Sequence, residues 1–106
     1  MRTFPALLTF AQGGTLTETT AGFPPAARTP GHGFWRRTGG SSYTAMSEAF
    51  LFDSAGVWNG LQRLTQSIQI GSAPDQLSST ATSQIYDTAG KLVITTCATA
   101  VATRAE

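Results

Sequence analysis

Apolar and polar residues alternate with a period of two along much of this chain. No stretch of 11 or more residues keeps apolar positions at i, i+3, i+4 and i+7 while avoiding glycine and β-branched runs. Threonine, which crowds its own backbone in a helix, sits comfortably on a pleated surface. The pattern predicts seven strands, over 4–11, 14–20, 33–38, 42–53, 56–70, 76–87 and 91–103. Two connections interrupt them: Ala21 to His32, with Pro24, Pro25 and Pro30, and the shorter Gly71 to Asp75.

One turn is used twice. Phe52-Asp53-Ser54-Ala55-Gly56 and Tyr86-Asp87-Thr88-Ala89-Gly90 share the order aromatic, aspartate, hydroxyl, alanine, glycine. Aspartate caps such a turn through its carboxylate, and glycine takes the left-handed position of a twisted hairpin. Phe10-Ala11-Gln12-Gly13-Gly14 is a looser copy, and Thr38-Gly39-Gly40-Ser41 marks a further hairpin. Consecutive hairpins with strands as long as 42–53 and 56–70 predict an all-β, antiparallel up-and-down meander in one domain. Such a meander closes most simply into a small β-barrel, with a two-sheet sandwich as the alternative. Gly60 interrupts a long strand and is expected at a bulge or a close approach.

The alternation also assigns faces. Met46, Glu48, Phe50 and Phe52 share one face of the fourth strand, and Tyr43, Ala45, Ser47, Ala49 and Leu51 the other. Trp58, Leu64, Ile68 and Ile70 fall together on the fifth, with Gln62 and Gln66 in register and Gln69 opposed. In the last strand Leu92, Ile94, Ala98, Ala100 and Ala102 oppose Val93, Thr95, Cys97, Thr99 and Val101. Neither set is charged, so both faces are expected to be covered, the outer one by another subunit.

Composition narrows the function. The chain has 106 residues and a net charge of +1, with charged residues only 12% of the total. That balance gives no electrostatic case for nucleic acid or an anionic membrane. No apolar run reaches the roughly 18 residues of a helical membrane span. The N-terminal residues Met1-Arg2-Thr3-Phe4 lack the apolar core of a signal peptide. The threonine-rich, lysine-poor composition nevertheless suits a mature exported bacterial protein. Cys97 is the sole cysteine, so no disulfide forms within the chain; it is expected as a small buried apolar residue, with pairing to another chain as the alternative.

The triplet Gly33-Phe34-Trp35 opens a strand and resembles the glycine–any–tryptophan signature of lipocalins and other calycin barrels. More of the chain, roughly 7–104, is similar to a group of small, poorly characterised bacterial barrel proteins. The likeness rests on Gly31-His32-Gly33-Phe34-Trp35, Ala49-Phe50-Leu51-Phe52-Asp53 and Cys97-Ala98-Thr99-Ala100. The resemblance implies an eight-strand barrel with its first strand missing, closed by a partner chain, by swapping or by a rearranged N-terminus. It implies no particular reaction.

Few residues remain to carry chemistry. His32 and Cys97 lie 65 positions apart and no metal-ligand spacing occurs, so neither a metal nor a cofactor is expected. His32 sits between two glycines, as a loop histidine or a ligand contact. Glu48 is in register with aromatic residues. If that face points inward, the carboxylate is a candidate general acid or base; if outward, it pairs with Arg63, Arg36 or Arg37. The long connector holds Phe23 and reads as a lid over the barrel mouth or as a crossing strap. The first reading is therefore a non-enzymatic barrel binding a small apolar or aromatic molecule against Trp35, Phe50, Phe52 and Trp58, with Phe23 and His32 at the rim. The second is a cyclase or isomerase, like the allene-oxide-cyclase-like barrels, moving a proton with Glu48 or Tyr43. The third is a self-associating structural β protein with a filled core. A homodimer or higher oligomer is expected in each case.

Overall fold

The computed structural model describes residues 6–21, 23–71 and 76–103. Within them the alternation builds seven strands: β1 (Ala6–Ala11), β2 (Thr15–Thr20), β3 (Gly31–Gly39), β4 (Ser42–Phe52), β5 (Trp58–Ile70), β6 (Gln76–Tyr86) and β7 (Leu92–Thr103). Each pairs antiparallel with its neighbour in sequence, giving one sheet ordered β1 to β7. The protein is thus an all-β up-and-down meander, curled into a half-barrel. β1 and β7 are its two edges. Residues 4–5, Gly22 and the 72–75 connection, all assigned from sequence, lie outside the described residues.

The duplicated turn is capped as its sequence requires. Asp53 Oδ1 accepts from the amides of Ala55 (2.9 Å) and Val57 (3.0 Å), and Asp87 Oδ1 from those of Ala89 and Lys91 (both 2.9 Å). Gly56 (φ +78°) and Gly90 (φ +82°) take the left-handed position. The repeat extends beyond the motif: each copy follows a register shift, so Phe52 opposes Trp58 and Tyr86 opposes Leu92. Asp53→Ala or Asp87→Ala therefore leaves two amides without their acceptor. Each substitution is expected to cost about 1 kcal/mol, read as a lowered urea midpoint at unchanged m-value.

Register carries one set of side chains to the concave face. Tyr43, Ala45, Ser47, Ala49 and Leu51 of β4 align with Trp35 and Gly33 on β3, and with Ile68, Gln66, Leu64, Gln62 and Gly60 on β5. Leu16 and Glu18 continue the row onto β2. The core is small: Leu16, Ala45 and Ile68 are buried together, with Trp35, Tyr43 and Leu77 packed against them.

Two expectations change. The third strand begins at Gly31, two residues earlier than the pattern suggested, so His32 belongs to a strand and not to a mobile loop. Gly31 and Gly33 permit this, since a side chain at Gly31 would meet Glu18, and one at Gly33 would meet the β4 backbone. Trp58 also leaves the face assigned to it. The register shift beside Phe52 places it opposite that residue, and its ring meets Phe50 edge-on at 6.3 Å. Gly60 stands beside this shift, close against the Tyr86 carbonyl.

Candidate functional site

The concave face has an apolar end and a polar end. At the apolar end Trp35 meets Phe10 (6.1 Å between ring centres) and Tyr43 (5.8 Å), both edge-on. Its indole Nε1 donates to the Ala11 carbonyl at 3.1 Å, tying β3 across to the end of β1. On β6 and β7 the register lines up Ser79 with Ala100 and Ala81 with Ala98, so the floor beside this aromatic wall is made of small side chains.

The polar end is built by the connector. After a 3-10 turn at Pro25–Ala27, Arg28 bridges to Leu51, and Thr29 exchanges two hydrogen bonds of 3.0 Å with Phe50. These contacts tie the segment to β4 as a strap. Arg28 (7% exposed) turns inward. Its Nη2 donates to Oε1 of Glu18 (3% exposed), its Nε to Gln62 Oε1 at 2.7 Å, and its Nη1 to the Thr29 carbonyl at 3.1 Å. Gln62 Nε2 passes the chain on to Ser83 Oγ at 2.8 Å. The Arg28 guanidinium thereby gains two neutral acceptors besides the Glu18 carboxylate, which lowers the cost of burying its charge. Ser47 is 1% exposed, and its Oγ has no hydrogen-bond partner among the described residues.

Sequence reading placed Gln62 on its strand face but missed Glu18 and Arg28. A signal was present: Glu18 shares its face of β2 with Leu16, and Arg28 is the lone charge in the proline-rich connector. What the sequence did not show was that these two residues meet.

The convex face holds the other candidates. Glu48 points outward, and its Oε2 accepts from Arg63 Nε (2.9 Å) and Nη2 (2.8 Å). That hydrogen bond first, then the Glu48 charge, with a smaller contribution from Tyr86, hold the Arg63 guanidinium above its ordinary value against a slight loss of hydration. The pair is well solvated, so its contribution to stability is small. Arg63 also lies 5.5 Å from the centre of the Tyr86 ring. His32, opposite Glu48 on β3, is exposed. Glu48 and Tyr43 therefore lie on opposite faces and do not form one acid–base site.

The expected aromatic set is divided in the same way. Trp35 is on the concave face; Phe50 (52% exposed) and Trp58 (47%) pack together outside, with Phe52 opposite Trp58; half-buried Phe23 lies in the connector. One cleft, of about 510 Å³, crosses β4 to β7 on the convex side, where Ser42, Thr44, Ser67, Thr80 and Thr99 line it together with apolar Val101. Among the described residues no three His, Cys, Asp or Glu side chains cluster to hold a metal ion, and no helix is long and apolar enough to cross a membrane. Compared with protein-family models, curated proteins and solved structures, the chain gives no match.

Proposed function

We propose that the half-barrel binds a small, largely apolar or aromatic molecule on its concave face, without chemistry. The observation that carries this reading is the step between the Trp35–Tyr43 wall and the floor of small residues on β6 and β7. The aromatic wall and the small side chains beside it offer an apolar surface to such a molecule. At the other end the Arg28 network fixes the shape, and Gln62 and Ser83 supply the few polar groups that orient a ligand.

The reading is tested first by mass spectrometry of the native protein for a co-purified molecule. It is tested again by titrating an apolar fluorescent probe against Trp35 emission, in a Trp58→Phe background. Saturable quenching at one probe per chain is expected. In a chain retaining Trp58, Trp35→Ala is expected to weaken probe fluorescence binding about tenfold, the equivalent of roughly 1.4 kcal/mol. Non-saturable quenching with no co-purified molecule refutes the reading.

A further inference from the structure

Among the described residues, the twelve of β7 form an edge strand with one side of its backbone unpaired. Exposed edges of this length are normally blunted by lysine, proline, inward-pointing charge or shortness. β7 has none of these: Leu92–Thr103 contains neither a charged residue nor a proline. It is also bare on both faces: Ile94 is 49% exposed on the concave side, and Val101 is 85% exposed on the convex side, where Cys97, expected to be buried, is exposed too. An added strand would therefore gain main-chain hydrogen bonds and cover apolar side chains on two sides at once.

We infer that the occupant of this edge is β7 of a second copy of the chain, paired antiparallel about a two-fold axis. Length selects it. The other free edge, β1, has six residues and would leave half of a twelve-residue strand unpaired, whether it came from the same chain or another. Only β7 matches β7 from end to end. The two-fold makes the pairing antiparallel, and the strand's period of two requires concave residues to oppose concave residues. Centring the axis on Cys97 or on Ala98 meets that condition with nearly full overlap. In either register the two Cys97 side chains share the convex face, directly opposite or on a diagonal. With no charge on the strand, neither register places like charges together. The pair would join two half-barrels into one continuous curled sheet, whatever the concave face holds.

Sedimentation of the full chain at about 50 µM, well above the dissociation constant of a stable dimer, is expected to give a dimer. A short bis-maleimide should link Cys97 to Cys97, and Cys97→Ser should abolish the link. Thr95→Lys combined with Thr99→Lys places like charges across the axis and should give a folded monomer, with the β circular-dichroism spectrum retained. Thr95→Glu combined with Thr99→Lys places opposite charges there and should restore the dimer. Leu8→Lys, on the β1 edge, should leave it intact. A wild-type monomer, an assembly indifferent to the two lysines, or open filaments abolished by Leu8→Lys would overturn the inference.

Discussion

Arg28→Met is expected to destabilise the fold by about 3–5 kcal/mol, the usual cost of removing one partner from a buried ion pair. Glu18 would keep a carboxylate that is 3% exposed, and Gln62 would lose the donor to its Oε1. Against a typical total of about 5–15 kcal/mol, and with a core as small as this one, much of the variant would be unfolded at room temperature. Adding Glu18→Met removes the stranded charge, and the double variant is expected to recover most of the loss. The pair's worth lies less in mutual attraction than in the penalty for leaving either member alone. Urea unfolding of the two single variants and the double variant closes the cycle. A loss below about 1 kcal/mol for Arg28→Met would show that water reaches Glu18 and that the strap does not seal this end.

Gly33→Ala is the second large effect. A β-carbon there would run into the Met46 carbonyl and the Ser47 Cα, which are backbone atoms of the central strand and cannot swing aside. We expect about 3 kcal/mol, the upper end of the range for overpacking, because β3 must separate from β4 to admit one methyl group. Gly56→Ala is the control. It meets open space and pays only for its left-handed φ of +78°, about 1–2 kcal/mol. Thermal melts should rank the variants Gly33→Ala, then Gly56→Ala, then wild type in rising stability. Equal effects at the two sites would mean that conformation, and not contact, is what matters at Gly33.

These two sites show which parts of the molecule its sequence expresses. Strand identity and turn chemistry depend on near neighbours, so the period of two and the Asp53 and Asp87 motifs place every hairpin to within about two or three residues, the usual margin for element ends. Face assignment is equally local until the register shifts. A single extra residue beside Phe52 sends Trp58 to the convex side, and nothing in the run from Val57 to Leu61 announces it except Gly60. Inside and outside are harder still, because both faces of β4 carry apolar residues. Small Ala45, Ser47 and Ala49 turn inward under Trp35 and Tyr43, whereas bulky Met46, Phe50 and Phe52 turn outward. Bulk misleads on a tightly curled sheet, whose inner surface has less room than its outer one. The Glu18–Arg28 pair was hidden for another reason. It joins a strand to a strap ten positions on, through a path with no periodicity to extrapolate.

The meander also bears on how the chain reaches its shape. Since each strand pairs only with its neighbours in sequence, every strand ladder can close as a hairpin, and only the Arg28–Thr29 strap waits for a more distant segment of β4. Loop-closure entropy is then paid in small instalments, which favours rapid folding for an all-β protein. The two aspartate turns stand at the heads of β4–β5 and β6–β7, hairpins of eleven to thirteen residues a strand. Assembly is thus expected to spread outward from these reversals, with the short β1 last to join and first to open.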